Sequence, residues 1–196
     1  MDDDAAKATL LQYLTSAREA LLWKLEGLSE YDVRRPLTPT GTNLLGLVTH
    51  LACVEAGYLG GVLGRPFPEP MPWDDPDAEP DDDLWARPEE SREDVLGRYA
   101  RATAHADATV AALDLDTTGE VPWWPEDRHR PTLHTLLVHV LAEVARHAGH
   151  ADVLREGVDG AAGLRRGSDN LTRPDAAAFA AHRERVEQAA RRAAGR

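Results

Sequence analysis

The sequence predicts an all-α chain built as a four-helix bundle, and three observations carry that prediction. Four stretches repeat their apolar residues at three- and four-residue steps, the period of an amphipathic helix. No segment sustains the period-two alternation of β-branched residues that marks a strand. The intervening stretches are rich in Pro, Gly and Asp, which interrupt regular structure. With 196 residues the chain is long enough to bury one core without covalent staples.

The first helix is expected over residues 5–28. Leu10, Leu11, Leu14, Ala17, Leu21, Leu22, Leu25 and Leu28 share one face, and Gly27 and Ser29 mark its end. Pro36, Pro39 and Gly41 make residues 31–41 a loop. A second helix begins near Thr42, with Thr40 or Thr42 as its cap, and runs to about residue 64. Gly57, Gly60 and Gly61 weaken it, which suits a close approach by another helix or a ligand. Residues 65–88 hold most of the prolines and an acidic run from Asp74 to Asp83. They read chiefly as a solvated connection, although loops this long are often functional.

The third helix, residues 89–113, carries a stripe of Val95, Leu96, Tyr99, Ala102, Ala106, Val110 and Leu113. A loop over 114–130 contains Pro122, Trp123, Trp124 and Pro125. The fourth helix starts near Pro131, a favoured first-turn residue, and ends at about Gly157 or Gly160. The bundle therefore occupies residues 1–160. Residues 161–196 form an extension with a peripheral, weakly amphipathic helix over 174–194.

The net charge of −12 argues against a nucleic-acid partner, because neutralising phosphates needs a basic face. A single cysteine, Cys53, excludes an internal disulfide framework and a multi-cysteine metal site. The N-terminal MDDDAAKATL has neither the basic nor the apolar region of a signal peptide. No membrane span is expected from the hydrophobic pattern, so the expected location is the cytoplasm.

Chemistry concentrates on the fourth helix. Five of the 8 histidines, His129, His134, His139, His147 and His150, fall between residues 129 and 150. At roughly 100° per residue, His139, Glu143, His147 and His150 lie at about 0°, 40°, 80° and 20° and share one face. Neutral imidazole nitrogen and carboxylate oxygen at i and i+4 suit a divalent zinc, nickel, iron or manganese ion. The Glu-x-x-His pattern does not recur, which favours one metal over two. His50, in an otherwise apolar stretch, is the natural third ligand from another helix. The same residues admit plainer readings: His50 as a satisfied core histidine, Glu143 as an intrahelical ion pair with Arg146 or His147. Cys53, three residues after His50, reads better as small buried packing than as a fourth ligand.

The segment HTLLVHVLAEVARHAGHADVLRE, together with NLLGLVTHLACVEAGYLGGVLGRPFPEP, resembles the paired signatures of the DinB/YfiT-like metalloenzymes, closest to an actinobacterial branch. The resemblance covers roughly residues 8–160. It implies an up-down-down-up bundle and a mononuclear divalent metal, zinc or nickel first and iron next, near one end. It places the ligands at His50, Glu143 and His147. Position 143 departs from the family's all-histidine pattern, but the related mycothiol-dependent maleylpyruvate isomerases are similar in using His, Glu and His. His150 and His139 would then be outer partners or proton carriers. Trp123 and Trp124 would wall the site mouth or plug the bundle end. Arg155 would meet an anionic substrate or pair with Glu156 or Asp152. The implied activity is transferase or isomerase chemistry on a small-molecule substrate, in relatives with mycothiol, bacillithiol or glutathione as thiol and mycothiol favoured by an actinobacterial origin, with a hydrolase or a non-enzymatic metal- or ligand-binding stress bundle as alternatives. Relatives are often homodimers.

Overall fold

A computed structural model describes residues 3–168, 170–172 and 175–195. Six α-helices follow in order: α1 Asp3–Leu22, α2 Glu30–Arg34, α3 Leu44–Tyr58, α4 Arg92–Ala112, α5 Leu133–Asp159 and α6 Ala176–Ala193. Among the described residues there is no strand, only the isolated bridges Thr118–Thr132 and Arg165–Ser168. The all-α expectation holds.

The four long helices of the bundle are α1, α3, α4 and α5, and side-chain contacts fix their directions. Lys7, near the start of α1, donates to the Leu113 carbonyl just past α4, while Arg92, at the start of α4, reaches the Leu25 and Leu28 carbonyls beyond α1. These two helices are therefore antiparallel. Glu55 meets Tyr99, and further on Arg65 meets Thr109, so α3 and α4 run parallel. His50 stands beside His147 and Tyr58 beside His139, so α5 runs against α3. The order is up-down-down-up.

The predicted stripes form the core. Leu14, Leu21 and Leu25 from the first helical stretch, Val95, Tyr99 and Ala106 from α4, and Leu136, Val140 and Val144 from α5 are all buried. The stretch Leu44–Leu63 has the length and mean hydropathy of a membrane span, 1.3, but 72% of that window is buried inside the bundle. Apolarity all round is what a central helix of a bundle requires.

Helix ends differ from the sequence expectations. Ser29, expected at a fraying end, instead caps a new short helix, α2, by accepting from the Asp32 N–H, inside what was expected to be loop. The second long helix is capped by Asn43, whose side chain accepts from Gly46 N–H, and not by Thr40 or Thr42. It ends at Tyr58, and a short 3-10 turn over Gly61–Leu63 follows. Thr132 caps α5. The extension begins by clasping the bundle: fully buried Lys24 binds Asp152 and the Gly163 carbonyl, and Trp23 donates to the Leu164 carbonyl at 2.8 Å. No residue of α6 is buried.

A buried polar cluster joins three helices. Arg18 of α1 forms a two-pronged pair with Glu55 of α3 and a second pair with Asp107 of α4. Tyr99 donates to the same Glu55 carboxylate at 3.2 Å. Burial pushes the Glu55 carboxyl above its ordinary value, against the pull of Arg18.

Parallel neighbours α3 and α4 need a long crossover, and residues 59–91 supply it. This strap runs back along α3. The Trp73 ring lies over Gly57, Asp83 meets His50, and the Leu84 carbonyl sits on Gly46. A Cβ on Gly46 would lie 1.8 Å from that carbonyl oxygen, so only glycine permits the contact. The acidic strap is thus packed at defined points rather than simply solvated, a correction to the sequence reading.

Candidate metal centre

α3 and α5 bring His50, Glu143 and His147 together. One donor atom from each, two imidazole nitrogens and a carboxylate oxygen, lies within 4.8 Å of the others. The His50 and His147 rings stand edge to face with centroids 4.9 Å apart. His147 Nε2 is 3.5 Å from Glu143 Oε2. All three side chains are half-buried, with exposures of 21% for His50, 33% for Glu143 and 14% for His147. They therefore stand at the edge of the core, reachable from outside.

Helical geometry explains that placement. On α5 the buried residues Val140 and Val144 centre the core face at about 100–140° on the scale set by His139. His147, at about 80°, borders that face. His150, at about 20°, has turned to solvent and is exposed. It still touches the group, with its Nδ1 3.4 Å from His147 Nδ1. Burial, and next the neighbouring His50, push the His147 imidazole down to about 4. At neutral pH this ring is uncharged and offers a lone pair, the form a metal ion requires.

Sequence reasoning missed Asp83. Its Oδ2 lies 2.6 Å from His50 Nδ1, and the hydrogen bond from His50 holds the carboxyl below its ordinary value. Engaging Nδ1 fixes the ring and leaves Nε2 as its free donor, the usual arrangement of a carboxylate behind a ligating histidine. Only folding brings together residues 33 apart in sequence.

The other sequence candidates fall in different places. His139 does not hydrogen-bond Glu143; its ring stands against Tyr58 and Trp124, centroids 4.7 and 5.0 Å away. Trp123 and Trp124 both donate their indole N–H to the Tyr58 hydroxyl, at 3.0 and 3.2 Å. This aromatic group lies two helical turns along the bundle from His50 and His147, about 12 Å by helical rise, and one turn from Glu143. Tyr58 carried no sequence signal of its own.

Arg155 is corrected. It is buried, and its guanidinium is committed to the Lys24 and Glu26 carbonyls and to both oxygens of Asp159. It meets neither a substrate nor Glu156 nor Asp152, and ties the ends of the first helical stretch and α5 instead. Cys53 is outside the three-donor group. Burial pushes its thiol up to about 12. At pH 8 the thiolate fraction is therefore on the order of 10⁻⁴, and an aromatic disulfide reagent should label no thiol in the folded protein and one after unfolding.

Two imidazoles and one carboxylate from different helices, close together and partly open, fit a divalent ion with exchangeable positions left over. A search of curated proteins finds no match to the chain. The model of the mycothiol-S-transferase family, by contrast, matches residues 9–160, a span holding all four bundle helices apart from the first turns of α1. By that match the chain belongs to the mycothiol-S-transferase family.

Proposed function

We propose that this chain is a metal-dependent transferase that joins a low-molecular-weight thiol, mycothiol, to an electrophilic small molecule. The carrying observation is the convergence of His50, Glu143 and His147 from two helices within 4.8 Å, in a chain of this family. These three residues would hold the divalent ion, which supplies Lewis acidity and favours the deprotonated form of a thiol.

The protein's own groups divide the remaining work. Glu143 contributes the one negative charge among the three donors. Asp83 orients His50 through Nδ1. His150, exposed and beside Nδ1 of His147, would act as an outer partner of that ring and as a carrier of the thiol's proton to solvent. The thiol sulfur then forms a bond to an electrophilic carbon. Either a leaving group departs with its bonding electron pair, or the π pair of an activated double bond shifts to its far atom, which then takes a proton.

The test is metal content by elemental mass spectrometry on tag-free protein, paired with conjugation of mycothiol to an activated aryl halide. About one metal per chain, with conjugation that a chelator removes, supports the reading. No metal uptake on titration with zinc or nickel overturns it. Within this reading Asp83→Ala should weaken metal affinity about 10–100-fold while leaving the fold intact. Chelator competition measures that loss.

A further inference from the structure

A second site lies on the same face of α3. Gly57 follows His50 at about −20° on the helical wheel, about 10 Å further along the axis, and Gly61 opens the 3-10 turn just past the helix. Over them opens a cleft of about 630 Å³ walled by Trp73 from the strap and Trp123 and Pro122 from the loop before α5. That volume falls within the range of small-molecule sites. Trp73 and Trp123 are 42% and 60% exposed, unusually open for the largest apolar side chains. Trp123 is nonetheless held by its hydrogen bond to Tyr58, and the Trp73 ring carbons lie 3.0 and 3.1 Å from where a Cβ on Gly57 would stand. The absent side chain at residue 57 is what lets the Trp73 ring lie against α3 and form that wall.

The charge of the lining has one sign. Asp74 and Glu120 flank the cleft, and no Lys, Arg or His lines it. Asp74 is fixed by accepting from the Met71 N–H at 2.8 Å. Glu120 makes only a loose 3.5 Å pair with Arg130, both side chains being largely exposed. Indole rings attract cations through their π faces, and two carboxylates add to that attraction.

We infer that the cleft between Trp73 and Trp123 binds a planar aromatic molecule carrying a positive charge, and that this molecule is the acceptor of the transfer. Naming it the acceptor rests on the function proposed above; the binding does not. The two tryptophans supply stacking surface, Gly57 seats the Trp73 wall, and Asp74 and Glu120 select the charge.

The experiment is isothermal titration calorimetry of the full chain with three isosteric probes: 2-naphthylmethylammonium, 2-naphthalenemethanol and 2-naphthoate. The ammonium should bind about tenfold more tightly than the alcohol, and the carboxylate weakest of all. Gly57→Val should abolish binding of the ammonium and the alcohol. Glu120→Gln, at an exposed position that leaves folding intact, should weaken the ammonium several-fold and leave the alcohol unchanged. His147→Ala should leave all three affinities as they are, because the cleft does not use the metal donors. Binding in wild type that is lost in His147→Ala would place the probe at the metal donors and overturn the cleft. Equal affinity for ammonium and carboxylate, or no binding of any probe, would also overturn it. Cleft binding that survives in a protein taking up no metal would sink the transfer reading alone.

Discussion

Replacing His147 by alanine should remove stoichiometric metal and thiol-transfer activity together while leaving the bundle folded. His147 touches both other donors and His150: Glu143 at 3.5 Å, His150 at 3.4 Å, and the His50 ring 4.9 Å away. Removing an outer partner of a metal site costs roughly 10–100-fold in affinity, and removing a donor should exceed that. The fold should survive because the side chain is at the edge of the core and already uncharged at neutral pH. Elemental analysis and far-UV circular dichroism on His50→Ala, Glu143→Gln and His147→Ala decide the matter. Full metal content in all three variants would refute the ligand assignment.

The largest effect on stability is expected at Arg18. Removing it in Arg18→Ala leaves Glu55 fully buried without its ion-pair partner. Breaking a buried pair from one side costs about 3–5 kcal/mol. In a chain of this size that corresponds to a fall in melting temperature of roughly 10 °C. The carboxyl, already pushed up by burial, would take a proton, and the loss should therefore be smaller at acid pH than at pH 8. Replacing the whole cluster by Arg18→Met, Glu55→Leu and Tyr99→Phe should recover most of the stability, since no buried polar group is then left unpaired. Thermal melts of the two proteins at both pH values test this. A single Arg18→Ala variant as stable as wild type would show that Glu55 is solvated in solution.

Legibility in the sequence followed periodicity. The four long helices announced themselves because their apolar residues repeat at helical spacing over about four to seven turns. Glu143 and His147 were readable for the same reason, being four residues apart on one helix, and His50 stood out as a histidine in an apolar run outside that helix. Asp83 was not readable. It is one carboxylate in a run of similar ones, and only the path of the strap selects it. Arg18 and Glu55 were hidden differently: charged residues on an amphipathic helix normally face water, and nothing local marks two that face each other. Arg155 was misread because a cation two turns past a histidine looks available until the carbonyls of the neighbouring helix end are in place. Prolines 36 and 39 drew attention from the helix just before them, which Ser29 caps.

The strap between α3 and α4 gives this segment a ruler's function. Its Trp73 forms a wall of the cleft and its Asp83 braces His50, so ten residues of proline-rich chain set the spacing between two sites on one helix. Composition is free only at exposed positions such as Asp77 and Glu79, because Asp74 and Asp82 are tied by hydrogen bonds. Length is not free. Losing one residue shortens the reach by up to about 3.5 Å, more than a hydrogen bond can absorb. Natural variation at Asp77 and Glu79 should therefore appear as exchanges of one polar or small residue for another, at constant count.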